Sequence, residues 1–279
     1  MNLLEKFDNL EIKNEDRISE EDKMFCEEQE DIFKKLIVIY DEFILKLKEI
    51  EPIIENHRNK YSKKEDYCYV TTAYGGSIAG SDSLEESKNK MKNQFVESIC
   101  NYFERKYNVT LKEESIYKKY NTSITYNNII DEIFIQLNGF NFKEKAVLEM
   151  KNKFKKVLEY KDVAVKKNKL IITNFFWVDQ WDKKYGTYKM SYNSREDFYS
   201  LLRCISHFEQ GTIKNTYEGI LYKIDRLQND DLFCEHVMMC IKLESIKLFK
   251  NGKIEIKFLS NEYAQEFARE YCDYIEKVA

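Results

Sequence analysis

The feature that most restricts the fold of this chain is a change of period. From Phe25 to about Tyr160 apolar residues recur at intervals of three and four; near Val163 they begin to alternate, through Val163 and Val165, across Lys167-Asn168, to Leu170 and Ile172. A 3.6-residue period calls for helices with an apolar stripe, and a two-residue period calls for half-buried strands. The fold class read from this is α+β: a helical N-terminal half, and a C-terminal half with β-hairpins packed on helices. The expected divisions are an acidic arm over 1–18, a helical region over 19–161 and an α+β region over 162–279 ending in a hairpin plus a helix.

Local signals fill in this frame. Ser19 followed by Asp22 resembles a capping box, and Phe25, Ile32, Phe33, Leu36, Ile39, Tyr40, Phe43, Leu47 and Ile50 form the stripe of a long helix that Pro52 should kink or end, although Ile53, Ile54 and Tyr61 could extend the pattern beyond it. Further helices are predicted over 84–107, 115–120, 127–137, 142–160, 194–208 and 217–227, and a strand over 185–192. The runs 237–249 and 254–258 are joined by Asn251-Gly252, the dipeptide that favours a type I′ hairpin. Ser260 should cap a last helix whose Phe267 and Tyr271 cover the inward face of Ile254, Ile256 and Phe258. There is no internal repeat and no heptad run long enough for a coiled-coil rod.

Composition narrows the class further. The chain has 279 residues, of which 43% are hydrophobic, so a sizeable core is available and global disorder is excluded. With 45 basic against 49 acidic residues the formal charge is −4, which does not single out nucleic acid as the partner. No apolar run approaches the ~20 residues of a spanning helix and the first ten residues lack signal-peptide character, so a cytoplasmic location is expected. Seven scattered cysteines read as reduced thiols. Only one proline and eight glycines occur, while Asn, Lys, Ile and Tyr are abundant. That bias supplies lysine-rich faces and tyrosine-rich cores by composition alone.

Four constellations bear on chemistry. Gly75 and Gly80 have the spacing of a phosphate-binding loop, but Ser81-Asp82 stands where Lys then Ser or Thr is needed, so a surface loop is the better reading. Cys204 and His207 share a helix face, and Cys234, His236 and Cys240 follow; such groups can hold zinc, yet the spacing is irregular and burial explains them equally well. Glu255-x-Lys257 lies on a strand, and with Asp231 it would make a metal-dependent nuclease if all three converged, whereas alternation makes the pair simply the wet face of a hairpin. Between Phe142 and Lys169 ten lysines face four acids, a net +6. Lys151, Lys153, Lys155, Lys156, Lys166 and Lys167, with Trp177 and Trp181 nearby, are therefore candidates for nucleic-acid contact. The first 31 residues carry −8, and this acidic end is expected to compete for the basic stretch.

The stretches NFKEKAVLEMKNKFKK (141–156), ISHF (205–208) and ESIKLFKNGKIEIKFLSNEYAQEFAREYC (244–272) resemble an uncharacterised family of phage and mobile-element proteins, some attached to DNA adenine methyltransferase modules. The chain itself lacks the glycine-rich cofactor motif and the catalytic Asp- or Asn-Pro-Pro tetrapeptide, which a single proline cannot supply. The resemblance thus implies a genomic setting and no activity. The expected function is a non-enzymatic accessory protein that binds a macromolecular partner, either nucleic acid or a DNA-modification or defence protein, without a cofactor. The alternatives are the nuclease built on Glu255 and Lys257, and a small-ligand or nucleotide-binding protein with a deep cavity near Trp177 or Gly76.

Overall fold

The computed structural model describes residues 17–61, 81–177, 190–214, 216–217, 232–238 and 240–274. The chain divides into two compact units, Met1–Asn141 and Phe142–Ala279.

The N-terminal unit is helical: α1 (Glu20–Tyr61), α2 (Ser81–Tyr107), α3 (Glu113–Tyr117) and α4 (Tyr126–Leu137). The expected capping box opens α1, with the Ser19 amide donating to Asp22 Oδ2 at 3.2 Å and the Asp22 amide to Ser19 Oγ at 3.3 Å. Glu20, Glu21 and Asp22 complement the positive end of the helix dipole. Helix α1 runs through Pro52 to Tyr61, the extension that the apolar pattern after Pro52 allowed. Pro52 is exposed, where water can replace the backbone bond it removes.

Helices α1 and α2 pair through Cys26, Phe33, Ile44 and Leu47 against Phe95, Val96, Ile99, Cys100 and Phe103, all buried. Phe33 stacks on Phe95 at 4.6 Å and Phe25 on Tyr102 at 4.0 Å. Asp22, fully buried, ties the two helices together. Its carboxylate accepts from Tyr107 Oη (2.6 Å), Ser19 Oγ (2.7 Å), Lys106 Nζ (2.8 Å) and Tyr102 Oη (2.9 Å). Thr125 and Asn128 form a second capping box at α4, and the Glu30 carboxylate accepts the Tyr126 amide at 2.8 Å.

The C-terminal unit contains α5 (Phe142–Leu158), β1 (Val163–Lys166), β2 (Lys169–Ile172), α6 (Tyr192–Gln210), β3 (Glu235–Val237), β4 (Leu243–Leu248), β5 (Ile254–Phe258) and α7 (Asn261–Cys272). The α+β class read from the sequence is the observed one. Helix α5 falls in this unit because Met150, Phe154 and Leu158 are part of the sheet's core. The strands form one antiparallel sheet in the order β1-β2-β5-β4-β3. Alternation puts Leu170, Ile172, Ile246, Leu248, Ile254, Ile256 and Phe258 into the core with Phe198, Leu201, Leu202 and Ile205 of α6 and Phe267 and Tyr271 of α7. The packing of hairpin on final helix is as expected: Phe258 and Phe267 have ring centroids 5.5 Å apart, and Ser260 caps α7 through the Tyr263 amide.

The turn between β4 and β5 departs from the type I′ expectation. The Gly252 amide donates to the Phe249 carbonyl at 2.9 Å, and of the two turn residues only Gly252 has positive φ, at +81°. This is a type I turn closed by a left-handed glycine. The choice is set by a neighbour: the Gly252 carbonyl accepts the amides of Phe175 (2.8 Å) and Phe176 (3.3 Å), and a Cβ at Gly252 would lie 2.7 Å from the Phe176 carbonyl oxygen. Gly252→Ala is expected to cost about 2–4 kcal/mol from adverse φ and overpacking together, read by urea denaturation of the full chain. Wild-type stability in that variant would mean the turn does not depend on this approach.

The 217–227 helix, most of the 185–192 strand and the Gly75–Gly80 loop lie outside the described residues, apart from Tyr217 at the start of the first. Ser191, at the end of the expected strand, instead caps α6 by accepting the Ser194 amide.

Candidate functional site

The residues singled out by spacing are placed by the fold in three different environments. Cys204 and His207 share a face of α6 as expected, but that face points into the core. Cys204 is fully buried, and His207 Nδ1 lies 2.6 Å from the Tyr271 hydroxyl. Burial drives the Cys204 thiol far above its usual range and raises Cys272 to about 12, so both stay neutral, the form that packs and does not attack. Burial, reinforced by Lys151, also lowers the His207 pKa, which favours a neutral imidazole. Cys234 is exposed, 4.0 Å from His236 Nδ1, and His236 Nε2 faces the Leu232 carbonyl at 3.3 Å. Among the described residues no three His, Cys, Asp or Glu side chains come together in a way that could hold a metal ion.

Glu255 and Lys257 lie on the sheet face opposite the core, as alternation requires. Glu255 is bonded by Lys253 (2.8 Å) and Lys169 (3.1 Å); burial alone would raise its pKa, and the two ammonium groups outweigh that and lower it. Lys257 reaches Glu244 at 2.5 Å, because a register shift between Leu243 and Ser245 inserts Glu244 as an extra residue in β4. Both members of the motif therefore sit in ion pairs on an open ladder, and Asp231 lies outside the described residues.

The basic stretch is partly neutralised by acids distant in sequence. Lys151 pairs with Glu270 at 2.7 Å and lies over the Tyr271 ring, and Lys155 pairs with Asp273 at 2.6 Å. Lys153, Lys156, Lys166 and Lys167 are exposed. Trp177 is 70% exposed; its amide donates to Ser194 Oγ at 2.8 Å and its carbonyl accepts the Ser191 amide at 3.0 Å, which seats it at the start of α6. Trp181 lies outside the described residues. Two shallow hollows, of about 480 and 690 Å³, are lined by Glu27, Glu30 and Tyr126 and by Phe25, Tyr102 and Arg105 respectively, with no contribution from Trp177.

The feature that spacing alone did not isolate is on α1. The stripe read as one apolar face is two. Phe33, Ile44 and Leu47 are buried against the rest of the unit, while Ile32, Leu36, Ile39, Phe43, Ile50 and Ile53 are 38–66% exposed, as are Val38 and Leu45. Ile32 and Phe43 each sit one position before a buried member of the inner seam, Phe33 and Ile44, so the two stripes are about 100° apart around the helix. A helix apolar on several sides is ordinarily covered on several sides. Adjacent apolar pairs repeating with heptad offset, Ile32-Phe33, Leu36-Ile37, Ile39-Tyr40, Phe43-Ile44 and Ile53-Ile54, are the sequence signal for this doubled stripe.

The chain matches no protein-family model, no curated protein and no solved structure. Among the described residues no helix is long and apolar enough to cross a membrane.

Proposed function

We propose that the chain is a non-enzymatic binding protein, an accessory factor of a phage or mobile element, that meets a macromolecular partner through the middle of α1. The observation that carries this reading is the row of large apolar side chains left exposed between Ile32 and Ile53. Scattered single exposures are ordinary, but a contiguous apolar row on one element marks an interaction surface. Its chemistry fits protein better than nucleic acid: over 32–53 four lysines balance four acids, whereas phosphate recognition needs an excess of positive charge. Nucleic acid is a second reading, favoured by exposed Lys153, Lys156, Lys166, Lys167 and Trp177 on the other unit.

The test is a photo-crosslinking amino acid placed at Phe43 in the full chain expressed in cells, with Lys48, on the far side of α1, as control. A crosslinked product from position 43 and none from position 48 is the expected outcome. No product from either position would overturn the reading, and salt-sensitive binding of labelled single-stranded DNA by the purified chain would then favour the second.

A further inference from the structure

We infer that the occupant of the outer seam of α1 is a second copy of this chain, with the two α1 helices paired antiparallel about a two-fold axis at Phe43. This rests on the reading of α1 as a docking element and specifies its partner.

The seam is self-complementary. Ile32, Leu36, Ile39, Phe43, Lys46, Ile50 and Ile53 are spaced four and three alternately, the pattern that keeps one face toward a partner helix over a rise of about 30 Å. Reversed on itself about Phe43, the row sets Ile32 against Ile53, Leu36 against Ile50 and Ile39 against Lys46. The flanks then agree in charge: Lys35 of each copy faces Glu49 of the other, so the pair is formed twice, as an isologous interface requires. Lys35 and Glu49 are both well exposed, their present partners being Asp31 at 3.8 Å and Lys46 at 3.2 Å on the same helix.

Lys46 decides the orientation. In a parallel pair it would face its own copy inside the seam, whereas in the antiparallel pair its stem lies along Ile39 and its ammonium stays on Glu49. A single polar residue at a seam position is a known means of fixing alignment. The area suffices as well. The six apolar seam residues expose roughly 450 Å² per copy if a fully exposed side chain counts for ~150 Å². Two copies with the stems of Lys35, Glu42, Lys46 and Glu49 added reach the ~1,000 Å² expected of a specific interface.

The experiment is light scattering after size exclusion on the purified full chain across a hundredfold concentration range, with helix content checked by circular dichroism. The wild type is expected to be a dimer, and Phe43→Lys, a change at an exposed position, a monomer of unchanged helicity. Lys35→Glu is expected to weaken the dimer about tenfold, and Lys35→Glu combined with Glu49→Lys to restore it. This charge exchange leaves the core untouched, so it reads the interface even if the Phe43 variant folds poorly. A dimer indifferent to both changes, or one the exchange fails to restore, overturns the inference. So does a monomer that dimerises once residues 1–16 are deleted, since the chain's own N-terminal segment would then hold the seam. A monomeric chain whose position 43 crosslinks to a different protein overturns the second copy but keeps the docking reading; a monomer with no crosslink overturns both.

Discussion

Asp22→Asn is expected to lower the stability of the α1–α2 pair by about 2–4 kcal/mol at neutral pH, and the loss should shrink steadily as pH falls toward 2. Burial on its own would raise the pKa of this carboxyl. The Lys106 ammonium and the hydroxyls of Tyr107, Ser19 and Tyr102 outweigh it and hold the pKa at about 2, below the 3.8 of a free aspartate. A carboxyl whose folded pKa is depressed adds stability that is complete above the unfolded value and vanishes as pH drops through the folded one. The difference of nearly two units corresponds to ~2.5 kcal/mol. Asparagine keeps the size but not the charge that four donors surround, which leaves Lys106 with Glu21 as its remaining carboxylate, at 2.6 Å. Urea denaturation of wild type and variant at pH 7 and pH 3 checks this. An equal difference at both pH values would mean that the carboxylate's charge is not what joins the helices.

Phe208→Ala is expected to cost about 3–5 kcal/mol. Its ring stands edge-on to Phe258, Phe267, Tyr263 and Tyr271 at 5.4–6.4 Å, so it joins α6 to both β5 and α7. The Lys242 ammonium lies 4.0 Å above the ring centroid and donates to the Phe208 carbonyl at 2.8 Å, adding a cation–π contact at the margin of the core. Phe208→Leu, which keeps most of the volume and loses the ring geometry, should cost about 1–1.5 kcal/mol. Thermal or urea unfolding of the three proteins gives the values. Equal costs for alanine and leucine would show that ring geometry and not volume holds this corner.

What the sequence made legible is what depends on near neighbours. Ser19 with Asp22, Ser260 ahead of α7 and the alternation of Ile254, Ile256 and Phe258 each act within a few residues, and each appears in the fold as read. The turn at Asn251-Gly252 was legible as a turn but not as a type, because its geometry is decided by Phe175 and Phe176, some 75 residues upstream. The basic stretch looked like a continuous surface for the same reason: Glu270 and Asp273, which neutralise Lys151 and Lys155, are more than a hundred residues away in the chain. The shared face of Cys204 and His207 was correct, but spacing does not tell whether a face looks toward solvent or toward Tyr271. On α1 most of the apolar positions were read, though Ile44 of the inner seam was not. Their division into an inner and an outer seam was not, since helical spacing records that a face is apolar and not how many partners cover it.

The strand order has a consequence for how the C-terminal unit is assembled. Strand β5 lies between β2 and β4, yet it follows β2 far along the chain; Lys169 and Glu255, bonded across that ladder, are 86 residues apart. Closing so long a loop is slow, and the β1–β2 hairpin has an unpaired inner edge until it happens. During synthesis on the ribosome the β2 edge of Leu170 and Ile172 therefore waits without its β5 partner. An open edge of this kind is a template for pairing with another nascent chain. The interval before β5 emerges is when this protein is most exposed to aggregation, and a slow stretch of translation before Ile254 would lengthen it.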